Sequence, residues 1–355
     1  MKRIAVAVSG GVDSAVAALL VKKTGFEAVG VTMTFGLFPS ANYGPKQGGF
    51  HAIEDAAGVC KSLDIEHHLI DVSTQMEKEV IEPFITEYLR GRTPNPCVVC
   101  NRHLKFGLLF EKALSWGFEG FATGHYAAIK RENGYYSLQK PKDRRKDQTY
   151  FLYSLPKDKL PLLMFPLAGY TKEDVRKLAV QAGLPASGGN ESQDVCFLPK
   201  GGCREFLSAR GVETNPGEIV DIEGRIVGRH GGIACYTVGQ RGGLGISAPK
   251  PLYVIKIDAE NNRLVVGEKG LLRSKTLVAD QVNWLVDDLP EEAWAKIRYA
   301  HRAQKCSIEY HMGGGVTVRF TQPQEAISCG QSVVFYDDST VLGGGVIKEV
   351  LSGNS

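Results

Sequence analysis

Ser9-Gly10-Gly11-Val12-Asp13-Ser14 lies between an apolar run, Ile4 to Val8, and an apolar-periodic run, Ala15 to Val21. A buried strand, a glycine-rich turn and a helix start in that order form an anion cradle. Glycine lets backbone N–H groups approach a phosphate, and the helix N-terminus adds its partial positive charge. Ser9 and Ser14 offer hydroxyl donors. Asp13 is a poor neighbour for a bare phosphate and reads as the holder of a magnesium ion that bridges to it. A tight connection with no ligand is the alternative.

Working outward, Glu27 to Phe35 reads as a second buried strand, its end beside the cradle, which makes Met33 either core or part of an adenine wall. Leu37 to Phe50 is rich in Gly, Pro, Asn and Ser and is expected to be a mobile loop over the site. Then follow a helix (52–63), a strand (66–72), a longer helix (74–89) and a strand (119–126). This alternation predicts an α/β fold, a doubly wound parallel sheet covered by helices on both faces. The last of these strands ends in Gly124-His125. The glycine admits close backbone approach to a ligand, and His125 either projects into the same crevice or is structural.

Before that strand stands Gly91-Arg-Thr-Pro-Asn-Pro-Cys97-Val-Val-Cys100-Asn101. Its prolines predict an extended backbone ahead of the Cys-x-x-Cys pair, with Lys105-Phe106 opening the next helix. Such a pair binds a metal or cluster, forms a redox disulfide, or belongs to the core. Residues 127–139 read as a hairpin turning at Asn133-Gly134. Residues 140–147 carry five basic side chains against two acidic ones, a solvated loop or a grip on a nucleic-acid backbone. Thr171 and Asp174 make a capping-box start for a helix ending before Gly183. Cys196, in Glu191-Ser-Gln-Asp-Val-Cys-Phe197, is flanked by polar residues and reads as a reactive thiol.

From Gly202 the texture changes to short strands and glycine turns. A short helix is expected near 203–210, helical periodicity near 290–295, a small β-rich domain over 217–270, and alternating runs from Leu271 that predict a closed antiparallel barrel. The expected domains are 1–200, 201–270 and 271–355. At 355 residues the chain is long enough for several cores. Its formal net charge of +3 confines any basic surface to local patches. No apolar run approaches a membrane span and no leader is evident, so a cytoplasmic enzyme is expected, with its eight cysteines as reduced thiols.

The opening loop is not a Walker A sequence; it resembles the PP-loop, S-G-G-x-D-S, of N-type ATP-pyrophosphatases. Together with GRTPNPCVVCNRHLKF, ATGHY, KDQTYFL, ESQDVCF, YTVGQRGGLGI and GQSVVFY, in order and spacing, the sequence closely resembles the bacterial-type tRNA-specific 2-thiouridylases. The resemblance implies an adenine nucleotide alpha hydrolase-like catalytic domain with a small β-rich central domain and a C-terminal barrel. It also implies replacement by sulfur of the 2-oxygen of uridine 34 in the tRNA anticodon stem-loop. ATP adenylates that oxygen and releases pyrophosphate, and a sulfur nucleophile then displaces AMP.

By the same resemblance ATP contacts Ala7, Val8, Ser9, Gly10, Gly11, Val12, Asp13, Ser14, Met33 and Gly124. Asn95, Pro96 and Cys97 lie against the target base, and His125, Lys146, Asp147, Gln148, Arg298, Tyr299 and Gln331 touch tRNA. Cys196 carries a persulfide received from a sulfur-donor protein, a cysteine desulfurase or relay protein, and Cys100 is its nucleophile or disulfide partner. Many relatives have Asp where this chain has Cys97, so Cys97, Cys100 and Cys196 are also a candidate ligand set for a [4Fe-4S] cluster. Two other readings compete. An adenylating ligase that accepts ammonia explains the loop and leaves the cysteines unused; a non-enzymatic RNA-binding protein would only sense ATP.

Overall fold

The computed structural model describes residues 1–35, 50–185 and 195–351. Residues 37–49 of the loop expected over 37–50 and the 191–194 portion of the Cys196 motif lie outside the described residues, and Phe50 opens a helix, Phe50–Ser62. Two compact units share the chain: Met1–Val80, Cys97–Lys200 and Asp338–Val341 form the first, and Ile81–Pro96, Gly201–Asp337 and Leu342–Ser355 the second.

The first unit is built on a parallel sheet. Its strands β1 (Arg3–Ala7), β2 (Glu27–Thr34), β3 (His67–Asp71) and β4 (Gly120–Thr123) are joined, after the hairpin β5 (Ala128–Glu132) and β6 (Tyr135–Gln139), by β7 (Leu163–Met164). The order is β3-β2-β1-β4-β7, all pairs parallel. Ile4, Ala5 and Val6 are almost fully buried, as a strand covered on both faces requires. Full burial of a side chain such as Val6 contributes about 1.5–3 kcal/mol. Helix α1 (Val12–Lys23) follows β1 and buries Ala15 through Leu19 together with Val21. Strand order reverses at β1, which has β2 on one side and β4 on the other. The carboxyl ends of β1 and β4 are therefore a topological switch point, the usual ligand crevice of such sheets. Ala7 pairs with Val31 and Thr123 there.

The predicted hairpin turns at Asn133 (φ 51°) and Gly134 (φ 85°), the left-handed pair that such a turn demands. One expectation needs correction: the helix after the proline-rich stretch starts at Pro96 and not at Lys105. Proline suits a first helical position, where its missing N–H costs nothing. Cys97 and Cys100 thus sit one turn apart on one helix, and Asn101–Leu109 continues it as a π-helix.

In the second unit, β8 (Gly217–Val220), β9 (Ile226–His230), β10 (Tyr253–Asp258) and β11 (Arg263–Gly267) form a sheet in the order β10-β11-β8-β9. Six antiparallel strands follow: β12 (Arg273–Trp284), β13 (Glu292–Lys296), β14 (Gln304–Tyr310), β15 (Val316–Glu325), β16 (Ser332–Asp337) and β17 (Thr340–Leu351). They run β12-β15-β14-β13-β16-β17 and close through β12 with β17. The helical periodicity expected near 290–295 is overturned, because Ala293 and Ala295 point into the barrel while Trp294 between them is half-exposed, the alternation of a strand. The expected short helix is present as Gly202–Ala209. The reading of all cysteines as thiols is also overturned: Cys203, in that helix, is bonded to Cys235, with Cα atoms 5.6 Å apart.

Candidate active site

The loop after β1 ties itself together around Ser14. The Ser14 hydroxyl donates to the Gly11 carbonyl (2.9 Å) and accepts the Ser9 N–H (3.1 Å), with Ser9 Oγ at 3.2 Å. Because its proton is used on Gly11, the Ser9 hydroxyl is the donor between the two serines. Gly10 has φ +79°, and a Cβ there would lie 2.6 Å from Cβ of Asp55, so a side chain is refused both by conformation and by space. Gly124, at the end of β4, approaches the same loop. A Cβ there would meet backbone atoms of Asp13 and Ser14 at 2.8–2.9 Å. The contact that this glycine permits is thus with the loop's own backbone.

The carboxylate of Asp13 is turned to a cation of the protein. Lys172 donates to its two oxygens at 2.7 and 2.8 Å, and the Tyr126 hydroxyl donates to Oδ1 at 2.9 Å. Lys172 is the first residue of the helix Lys172–Gln181, whose predicted capping box is present: Thr171 accepts the Asp174 N–H and Asp174 the Thr171 N–H. Its side chain is 7% exposed against 34% for Asp13. Lys172 and Tyr126 both bond to Asp13 and were not singled out by sequence reasoning: Tyr126 closes the quoted ATGHY stretch and Lys172 follows the capping Thr171, but neither position marks its partner. Both carboxylate oxygens of Asp13, the residue expected to hold magnesium, are engaged by Lys172 in this structure.

Cys97 and Cys100, on the helix opened by Pro96, share an electrostatic environment with Cys196. Burial raises all three thiols, and for Cys196 it does so to about 12, with Cys100 and Cys97 adding to the rise and Lys105 opposing it. Cys196 still keeps an open path to solvent. Among the described residues, no three His, Cys, Asp or Glu side chains are gathered so as to hold a metal ion. As folded, the three thiols do not fit the cluster expected of them. His125 lies between Phe106 and Phe165, ring centroids 5.8 and 6.3 Å away, with Nδ1 2.8 Å from the Thr123 hydroxyl. Burial, helped by Lys105, holds it well below the usual imidazole range. It is therefore neutral at pH 7.

The basic run folds as a short turn over Arg144–Lys146, capped by Asp143. Arg144 and Arg145 are exposed, whereas Asp143 and Asp147 are buried. Asp147 accepts the N–H (2.9 Å) and hydroxyl (2.6 Å) of Thr149, and Gln148 accepts the Tyr126 N–H at 2.8 Å. In the second unit, the residues leading to Asn95 and Pro96 are held in place. The Thr93 N–H donates to the Cys329 carbonyl at 2.8 Å, and Gln331 donates to the carbonyls of Thr93 (3.1 Å) and Pro94 (3.4 Å). Arg298 donates to the carbonyls of Val238 and Ala326 and to Ser328 Oγ at 2.6–2.9 Å. Tyr299 is half-exposed, with the Lys296 ammonium 5.5 Å from its ring centre.

Residues 2–200 match the family described as tRNA methyl transferase HUP domain, 204–268 its PRC-barrel domain, and 274–347 the aminomethyltransferase beta-barrel domain. A curated relative in Syntrophus aciditrophicus, tRNA-specific 2-thiouridylase MnmA 1, is 48% identical over 99% of this chain and 94% of its own length. The chain belongs to the tRNA-specific 2-thiouridylase family. Further 2-thiouridylases, from Carboxydothermus hydrogenoformans and Pelobacter propionicus, are each 45% identical, covering 99% and 98% of this chain and 98% of their own. The family's chain organisation, three successive matched segments, runs through this protein from end to end. Among the described residues no helix is long and apolar enough to cross a membrane.

Proposed function

We propose that this chain, acting in the cytoplasm, is the ATP-dependent enzyme that replaces the 2-oxygen of uridine 34 in tRNA with sulfur. The observation that carries this reading is the continuity of the first unit's chemistry. Gly124 abuts the phosphate loop, and its neighbour His125 shares the field of Lys105 with Cys97, Cys100 and Cys196. A phosphate cradle serving a set of thiols fits adenylation followed by sulfur transfer, and it gives the competing ligase reading no use for the cysteines.

In the first step the C2 oxygen of the base attacks the α-phosphorus of ATP and pyrophosphate leaves. Backbone N–H groups of residues 9–14 and the N-terminus of α1 receive the phosphates. Ala7, Met33 and Gly124 line the nucleotide. Lys172 supplies positive charge and fixes Asp13, and any magnesium arrives on the nucleotide. In the second step the terminal sulfur of a Cys196 persulfide, loaded by a sulfur-donor protein, attacks C2 and AMP departs. The Cys100 thiolate then attacks the Cys196 sulfur. The Cys100–Cys196 disulfide forms, the electron pair moves to the sulfur on C2, and 2-thiouridine is released; an external dithiol reduces the disulfide. Neutral His125 touches tRNA as a hydrogen-bonding group and not as a cation. Asn95, Pro96 and Cys97 face the base, with Gln331 holding the carbonyls of Thr93 and Pro94 just ahead of them, while residues 146–148, Arg298 and Tyr299 serve the tRNA. The base must leave the anticodon stack, which costs little in a single-stranded loop.

The test separates the two steps by measuring pyrophosphate release and 2-thiouridine formation on a tRNA transcript with U34. Asp13→Ala should stop both, and Cys196→Ser should stop only the second. A Cys196→Ser enzyme that still thiolates from a persulfide donor refutes the assignment. Iron and labile sulfide measured on anaerobically purified protein should be absent from active enzyme; about four irons per chain, with activity lost on chelation, would replace the persulfide route by a cluster.

A further inference from the structure

Inside the first unit two hydrogen-bonded routes lead from residues 145–148 to Asp13 of the phosphate loop. The first runs through Asp143, which is 5% exposed. Its Oδ1 accepts the N–H of Arg145 and its Oδ2 the N–H of Lys172, both at 3.1 Å; the Lys172 ammonium then reaches Asp13. The second runs through Tyr126. Its N–H donates to Gln148 Oε1 (2.8 Å), its carbonyl accepts the Gln148 N–H (3.0 Å), and its hydroxyl donates to Asp13 (2.9 Å).

The bond from Lys172 to Asp143 is not needed to start the helix, because Thr171 and Asp174 already cap it. What it adds is a fixed relation between the basic turn and the residue whose side chain holds Asp13. The Arg145 guanidinium, 77% exposed, lies 3.6 Å from Asp143 Oδ1 and 3.6 Å from Glu173. A phosphodiester that draws Arg145 outward takes this cation from both carboxylates and leaves Asp143 to the two N–H groups.

We propose that Asp143 is a positioning residue coupling tRNA backbone held at Arg144–Lys146 to the placement of Lys172 on Asp13, so that ATP and tRNA each strengthen the other's binding. This rests on the reading of the basic turn as a tRNA contact. Linkage makes the effect reciprocal and measurable without turnover.

The experiment measures the Kd of an unmodified tRNA transcript with U34, with and without saturating α,β-methylene-ATP, which cannot release pyrophosphate. In the wild type the nucleotide should tighten tRNA about fivefold or more. Asp143→Asn, which keeps size but replaces one acceptor oxygen with an amide, should bring that ratio below about twofold, with tRNA affinity in the absence of nucleotide nearly unchanged. Tyr126→Phe cuts the second route and should also lower the ratio, and it decides the matter if the Asp143 variant does not fold. A merely structural role would lower stability or both affinities and leave their ratio alone. A wild-type ratio of one, or wild-type ratios in the variants, overturns the proposal. Arg144→Gln/Arg145→Gln/Lys146→Gln tests the underlying reading separately: unchanged tRNA affinity and salt slope would remove the basic turn from the tRNA site whatever Asp143 does.

Discussion

Removing either partner of the Asp13–Lys172 pair should cost unequal amounts, and the inequality can be worked from exposure. Asp13→Ala leaves the ammonium without its carboxylate in a site where the side chain is 7% exposed. Breaking a well-buried pair in this way costs about 3–5 kcal/mol, and one-third exposure of the carboxylate brings the expectation to about 2–3 kcal/mol. Lys172→Met costs less. Asp13 keeps the Tyr126 hydroxyl at 2.9 Å and its access to water, so about 1 kcal/mol is expected. The double variant buries neither charge and should resemble Lys172→Met alone, a coupling of about 2 kcal/mol in its favour. For a unit of this size each kcal/mol is about 2–4 °C. Scanning calorimetry at low salt should thus place Asp13→Ala about 4–12 °C below wild type, with Lys172→Met and the double variant about 2–4 °C below. Pyrophosphate release should be lost in all three. An Asp13→Ala protein as stable as Lys172→Met, or a double variant losing the sum of the single effects, would refute the buried-pair argument.

Three further outcomes are expected. A thiol at about 12 carries about three-thousandfold less thiolate than one near 8.5, and its greater intrinsic nucleophilicity recovers only part of that. Iodoacetamide should therefore label Cys196 about a hundredfold more slowly than free cysteine at pH 7.5, accelerating tenfold per pH unit up to about 12; a rate like that of free cysteine contradicts the upward shift of this thiol. Gly124→Ala should cost about 1–3 kcal/mol and weaken ATP binding measured by calorimetry, because the methyl group would meet loop backbone at 2.8–2.9 Å; wild-type affinity and stability count against that close approach. Alkylation and mass analysis without reductant should leave Cys203 and Cys235 unlabelled while Cys97 and Cys196 react; prior reduction should add two labels.

The opening strand and the phosphate loop were legible because both are local, and the parallel sheet followed from the alternation of strand and helix stretches. An apolar strand, two glycines and a helix start occupy contiguous residues, and their periodicities differ. The capping box at Thr171 and the turn at Asn133-Gly134 were legible for the same reason. What the sequence did not disclose is pairing across distance. Asp13 and Lys172 are 159 positions apart, so the ammonium that the fold brings to the carboxylate of the phosphate loop could not be read from either local stretch. The helix at Pro96 was misread because two prolines suggest extension, although proline is as welcome at a first helical position as in an extended segment. Near 290–295 the run is too short for its periodicity to settle the element, and pairing of β13 with its neighbours decided for a strand. Cys203 and Cys235, 32 residues apart, carry no local mark of their bond.

The four residues Asp338–Val341 belong to the first unit, where Thr340 pairs with Gln139 and the Asp338 carbonyl accepts the Lys140 ammonium. They comprise the turn between the last two barrel strands and the first two residues of β17, near the end of a 355-residue chain. During synthesis, then, the nucleotide-binding unit emerges early and waits, its hairpin lacking one neighbour, until almost every residue has been translated. Domains usually fold in the order they leave the ribosome; here the final piece of the first is delivered by the maker of the last. A fragment ending after residue 200 would lack that piece, and so would any nascent chain stalled before the barrel is complete.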